Sequence, residues 1–343
     1  MTQNLKNNNF LKKIYFLVLF LGIGRYYLGP ISLLSYFIAA FFSKYNLKFS
    51  EWMLCIYLLI TFIISGNIYG FGQSFLLFGF HWGFILYYLF FKSNKGNFDK
   101  NKTFIFLTTI TILEGILVNT FLDPRLLPNY PDILNTHFTI YWQRALSFGG
   151  NASVTGVLLV VLMSLLPFSK VRVLYTSIAM IFVGSGSGIL ALLAYVLKNI
   201  YKLTNFINFF VIGIFSSFIY FYVNSFFGKG TFLDKVSPEY TFLLFNQKLE
   251  RFSDFFGQTN FIELLFGSLK FADAGGDTSY LNFLACHGII GIYILLIVCK
   301  DNICKKNYFQ IILFLVFNFH YHIIFSGPGQ VIFGYLLAIK NQE

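Results

Sequence analysis

The chain has 343 residues, 57% of them hydrophobic and 11% charged, with a mean hydropathy of +0.68, whereas soluble domains carry roughly 25% charged residues. That composition excludes a soluble globular protein. The formal charge of +11 sorts by side of a membrane once spans are assigned, so it reads as a topology signal and not as a nucleic-acid footprint.

No apolar stretch alternates as a barrel strand does, and the predicted fold is all-α, a polytopic integral membrane protein forming one domain over 1–343. Twelve spans are expected, in a range of ten to twelve, at 11–24, 30–43, 51–66, 72–91, 104–121, 151–167, 171–184, 187–200, 206–223, 279–299, 308–325 and 330–340. The first, seventh and last are shorter than the roughly 20 residues a span requires, so tilt or local thinning is needed. The first span follows Lys12 and Lys13 but lacks a small-residue cleavage site, and Arg25, Tyr26 and Tyr27 read as an interfacial anchor.

With both termini in the cytoplasm, sixteen of twenty Lys lie inside, whereas Arg25, Arg125, Arg144 and Arg251 lie outside and Arg172 alone of the Arg lies inside. Lys is sufficient for topology. The planar guanidinium fork matches phosphate or carboxylate oxygens bidentately, so external Arg125, Arg144 and Arg251 point to a pyrophosphate or acidic-sugar ligand. Interfacial anchoring and loop salt bridges are the plainer alternative.

Taking polar residues in chain order, His81 and Glu114 fall at similar depth in neighbouring spans, where they either hydrogen-bond to each other or are satisfied structurally. Two external segments, about 122–150 and 224–278, exceed ordinary connector length. The second carries Phe245, Leu249, Phe252 and Phe256 on one helical face, with Gln247, Glu250, Arg251 and Asp254 opposite. This predicts an amphipathic helix on the membrane surface, either a lid over a cavity or a solvated interfacial element. Asp277 is a candidate base or a helix N-cap, with Thr278 and Ser279 as rivals for the cap. His287, beside Gly288 and Gly291, reads as a core histidine.

His320 and His322 sit near the external end of the eleventh span, before a break at Gly327, Pro328 and Gly329. On a helix they point about 200° apart, so at most one of them faces a common cavity as a candidate general base, and interfacial histidines without catalytic duty are the alternative. Cys55, Cys286, Cys299 and Cys304 lie in or beside spans with no disulfide or metal spacing. Asp273 and Asp277 are too loosely spaced for a metal cluster, and no cofactor is implied.

Three stretches carry a family resemblance. Residues 144–166, RALSFGGNASVTGVLLVVLMSLL, place Arg, a Gly-rich turn and Asn at a span entrance; residues 181–193, IFVGSGSGILALL, fold one small-residue span end into the next. Residues 266–295, FGSLKFADAGGDTSYLNFLACHGIIGIYIL, give a Gly turn, an acidic residue, a Tyr-Leu pair and Gly-x-x-Gly. In this order, with a large external loop before the third, they resemble the Wzy-type O-antigen or capsular polysaccharide polymerases of the polymerase and ligase superfamily. The sequence departs from that pattern at Gly186, where many members have Arg, and at Asp277 and Thr278, where the ligase branch often has His-Asn.

The resemblance implies a metal-independent glycosyltransferase at the outer face of a bacterial inner membrane. Such an enzyme moves a growing glycan from undecaprenyl pyrophosphate to the terminal sugar of another lipid-linked repeat unit. It implies Arg forks on the pyrophosphate, Asp277, His320 or His322 as base, and a lipid-linked oligosaccharide and a chain-length regulator protein as partners, beside membrane lipids. A lipid-linked oligosaccharide flippase, an O-antigen ligase and a structural membrane scaffold are the alternatives.

Overall fold

In the computed structural model the described residues are 2–43, 47–94, 99–120, 144–199, 238–271, 278–319 and 321–341. They contain helices and turns, and no strand occurs among them. Their α-helices are labelled in chain order: α1 (Thr2–Ile23), α2 (Arg25–Leu28), α3 (Leu34–Phe41), α4 (Phe49–Tyr69), α5 (Phe71–His81), α6 (Phe84–Ser93) and α7 (Lys100–Thr120). They continue with α8 (Ala152–Ser164), α9 (Lys170–Val183), α10 (Gly186–Lys198), α11 (Pro238–Gln258), α12 (Phe261–Phe266), α13 (Ser279–Asn302), α14 (Tyr308–Phe317) and α15 (Gly327–Ala338).

Three of these, α4, α7 and α13, are long and apolar enough to cross a membrane, and the number rises to five if each of two bent pairs is one span. One pair joins Lys13–Ile23 to Arg25–Phe41 at 74°; the other joins α5 to α6 at 58°. The described residues are all-helical as expected and their long apolar helices suit a membrane, while the spans they show number three to five and not the ten to twelve expected. The expected span 72–91 is interrupted at Trp82 and Gly83, and the expected span 206–223 lies outside the described residues. On α4, Trp52, Met53, Ile56, Leu59, Ile60 and Ile63 are all exposed, an apolar face that suits lipid contact.

Two compact units are present, residues 1–98 with 248–343, and residues 99–247. The first is centred on α6 and α15. Every residue of α15 is buried, as are seven of the ten residues of α6, which suits helices apolar all round. Gly334 permits their approach, since a Cβ there would meet Tyr87 Cβ and Tyr88 N at 2.8 Å.

An ion pair closes one end of this unit. Lys92 Nζ donates to Glu51 Oε2 at 2.6 Å, Tyr88 OH donates to Glu51 Oε1, and the backbone N–H of Lys48 donates to Glu51 at 2.7 Å. The carboxylate is thereby fully partnered, which is the condition for burying it.

The second unit is built on α8, whose residues 152–163 are all buried, with α7, α9 and α10 packed around it. Exposed Ile105, Phe106 and Leu113 on α7, and Leu190, Leu193 and Leu197 on α10, carry its apolar outer surface.

Candidate functional site

Two helix starts of the second unit lie side by side. Asn151 caps α8, its side-chain oxygen accepting from Ser153 N at 2.8 Å and Val154 N at 3.4 Å. Ser185 caps α10 by accepting from Gly188 N at 3.2 Å. The two caps are adjacent, because Ser185 Oγ donates to Ser153 Oγ at 3.2 Å. Since α9 returns the chain between them, α8 and α10 run parallel with both N-termini at one end. The first-turn N–H groups of Ala152, Gly186 and Ser187 have no intrahelical acceptor, and two positive dipole ends converge.

Arg144 stands beside this end. Its Nε lies 3.3 Å from the point where a side chain on Gly184 would begin, and Gly184 holds φ 56° at the turn between α9 and α10. Only a residue without a Cβ accepts both that conformation and that neighbour.

The Arg144 segment is fixed by buried polar groups. Ala145 N donates to Phe182 O at 2.9 Å, and Thr155 Oγ1 donates to Leu146 O while accepting from Gly149 N at 3.1 Å. Ser147 adopts φ 51°, and its N–H donates to Glu114 Oε1 at 2.7 Å while its hydroxyl meets Thr111 Oγ1 at 2.8 Å. Of the two expected alternatives for His81 and Glu114, structural satisfaction fits: Glu114 accepts from Ser147 N in a strained backbone turn, and His81 is bonded to His287.

In the first unit, His322 is the expected base whose position is described. The helix at the expected eleventh span, α14, ends at Phe317 and not at 325, so His322 lies in a turn ahead of α15 and not on a helix face. Gly327, Pro328 and Gly329 open α15 and do not interrupt it: Ser326 caps the helix by accepting from Gly329 N at 3.1 Å, and Pro328 occupies the first turn where its missing N–H costs nothing.

His322 Nδ1 is 2.9 Å from Ser279 Oγ and its Nε2 is 3.3 Å from Asn282 Nδ2. With the Asn282 amide as donor, Nε2 holds the lone pair and Nδ1–H faces Ser279. Both ring nitrogens of His322 are thus in hydrogen-bond contact with side chains at the start of α13. Ser279 is weighed from sequence only as a helix cap and Asn282 not at all, because the early turns of a predicted span carry no mark of which side chains face a neighbouring loop.

The amphipathic segment forms α11 as expected, but the face it turns inward differs. Phe245, Leu249 and Phe256 are exposed, as is Phe242, whereas Lys248, Phe252 and Phe255 are half-buried. Phe252 stacks on Phe319 at 6.0 Å between centroids, and Lys248 Nζ donates to Thr278 Oγ1 at 3.3 Å. The helix is thus fastened beside the start of α13, next to Ser279. Arg251 is exposed on it. Thr278 is the cap residue of α13 but makes no side-chain cap bond. Asp277, His320 and Arg125 lie outside the described residues.

A third polar cluster sits where two helices are interrupted. In α13, Gly288 has φ 64° inside the helix. The carbonyls freed there are all taken: Ala285 O by Ser268 N at 2.8 Å, Cys286 O by Leu269 N at 3.0 Å and His287 O by Tyr57 OH at 3.2 Å. At the α5 to α6 interruption, Gln330 Nε2 donates to Gly79 O at 2.9 Å and Phe80 O at 2.7 Å. Tyr36 OH, itself 3.2 Å from Arg25, donates to Gln330 Oε1. His81 ends α5 and bonds His287, the residue before Gly288. His287 is fully buried and bonded to His81 and Trp82, the core histidine expected.

The four cysteines are free thiols. No group of three or more metal-ligating side chains occurs among the described residues. No family model matches the chain, and neither a curated protein nor a solved structure matches it.

Proposed function

We propose that this chain is a polymerase of lipid-linked oligosaccharide repeat units, a metal-independent glycosyltransferase of the Wzy type. The observation that carries the reading is the pair of parallel helix N-termini at Asn151 and Ser185 with Arg144 beside them. Convergent N–H groups, two dipole ends and a guanidinium fork suit a pyrophosphate without a metal. In this reading the chain crosses a bacterial inner membrane twelve times with both termini in the cytoplasm, and its site opens to the outer face.

The reaction breaks the bond between the anomeric carbon and the undecaprenyl pyrophosphate oxygen. It forms a glycosidic bond to the hydroxyl oxygen of the acceptor sugar, and the hydroxyl proton passes to a base. In this reading Arg125, Arg144 and Arg251 are the candidates for stabilising charge on the departing phosphate. His322, His320 and Asp277 are the candidates for the base that takes the proton. Membrane lipids surround the enzyme, and a chain-length regulator protein is its expected partner.

The test is glycan length on gels from cells in which this gene alone is deleted and then restored with Arg144 or with Arg144→Lys. Loss of the ladder with a single repeat unit left on its acceptor supports the polymerase, provided Arg144→Lys fails to restore long chains at normal protein abundance. An unchanged ladder removes it.

A transporter, such as a lipid-linked oligosaccharide flippase, is the second reading, and the interrupted spans favour it. Secondary transporters hold substrate and coupling ions at discontinuous helices near the bilayer midplane. Loss of every glycan band on deletion would move the assignment there, or to an O-antigen ligase.

A further inference from the structure

Arg25 stands at the 74° bend between Lys13–Ile23 and Arg25–Phe41. It is half-buried, and its Nη1 donates to Tyr36 OH at 3.2 Å. Tyr36 OH in turn donates to Gln330 Oε1, and Gln330 Nε2 donates to Gly79 O and Phe80 O. The inner members of this chain are satisfied. Its outer end is a guanidinium whose Nε and Nη2 edge meets no acceptor among the described residues.

A guanidinium keeps its charge in any protein setting. Tyr36 and Gln330 are neutral, and no ion pair among the described residues includes Arg25. A cation set among apolar helices is costly unless it is paired.

The neighbouring helix adds to the imbalance. A Cβ on Gly327, the first residue of α15, would fall 2.3 Å from Arg25 Cδ and 2.9 Å from Arg25 Cβ. The Arg25 side chain therefore lies along the first turn of α15, whose dipole end is also positive, at about +0.5 of a charge. Two like charges side by side call for an anion.

We propose that Arg25 binds a phosphate monoester or inorganic phosphate through the Nε and Nη2 edge of its guanidinium, with Tyr36 holding Nη1 and Gly327 leaving room for the side chain. That edge presents two parallel N–H bonds, the geometry that matches two oxygens of one phosphate. Such a phosphate carries about −1.5 to −2 at pH 7, which balances both the guanidinium and the helix end. A carboxylate, with a single charge, does not. The same group comes as free phosphate or as the headgroup of a phosphatidic acid. This site stands apart from the polymerase reading, because its test needs no glycan.

Equilibrium dialysis of the purified full chain in detergent, against labelled inorganic phosphate and separately against labelled dihexanoyl phosphatidic acid, reads the ligand bound per chain. At about 1 mM ligand, Arg25→Gln is expected to lose one equivalent, while ligand held elsewhere is unchanged. A loss in the phosphate arm assigns free phosphate, and a loss confined to phosphatidic acid assigns a lipid headgroup.

No bound ligand in either arm overturns the site, and so does equal binding by the two proteins. Should Arg25→Gln fail to fold, Arg25→Lys decides, since Lys keeps the charge and a donor for Tyr36 but not the fork. Binding weaker by about tenfold or more, the loss of one hydrogen bond to a charged group, upholds the site. Unchanged binding overturns it.

Discussion

Gly156 on α8 and Gly188 on α10 meet backbone to backbone, so that a Cβ added to either would fall 2.9 Å from the Cα of the other. This contact, with the Ser153 to Ser185 bond above it, sets the spacing of the two N-termini. Gly188→Ala is expected to cost about 1–3 kcal/mol, the usual range for overpacking. It should also weaken pyrophosphate binding, measured by titration on the purified protein in detergent. Gly257→Ala, where nothing lies within 4 Å, is the control and should leave both unchanged.

Glu114 holds the turn that carries Arg144. Removing its carboxylate in Glu114→Ala leaves Ser147 N, at a φ of 51°, without its acceptor, an expected loss of about 1–3 kcal/mol. Glu114→Gln keeps an oxygen at the same place and should retain most of the stability. Denaturant unfolding of the two variants separates hydrogen bonding from charge.

His322 and Ser279 predict unequal effects on turnover. His322→Ala should lower the rate of repeat-unit transfer by about 10² to 10⁴, the range for loss of a general base. Ser279→Ala removes one bond that orients the ring and should cost about 1 kcal/mol, several-fold in rate. Equal losses in both variants, assayed with purified lipid-linked substrate, would mean that His322 acts through packing and not as a base.

Gln330 is the donor for two carbonyls freed where α5 meets α6. Gln330→Leu removes that donor from Gly79 O and Phe80 O at once, with an expected loss of about 1–3 kcal/mol for each acceptor left buried. A fall in melting temperature in detergent, compared with a substitution at exposed Phe37, reads the effect.

The helices themselves were legible because continuous apolar runs leave few alternatives. The α4 and α13 spans begin within a few residues of where hydropathy starts them, and the junction at Gly184 and Ser185 was foreseen from its small residues. The interruptions were not, since Gly83 and Gly288 resemble the many glycines that merely allow close packing. What distinguishes Gly288 is a conformation with φ 64° and a neighbouring segment whose Leu265 carbonyl leaves no room for a side chain, and neither is written in local sequence. Likewise, the spacing of Phe245, Leu249, Phe252 and Phe256 announced a helix, while its docked side was set by Phe319 and Thr278 far along the chain. Arg144 was identified by residue type and exposure to one side, but the arrangement around it depends on two helix starts meeting in space.

If the chain acts as proposed on a lipid-linked substrate, the length of α8 bears on where that chemistry would take place. Its 13 residues rise about 20 Å, whereas the hydrocarbon layer is about 30 Å thick. With its Ser164 end at one interface, the Asn151 cap lies about 10 Å below the opposite one. A diphosphate reaching that cap would leave the headgroup plane and descend into a dent in the leaflet, drawing the first isoprene units of its tail down with it. Water entering the same dent would be confined to a narrow well, so the bilayer itself becomes one wall of the reaction vessel.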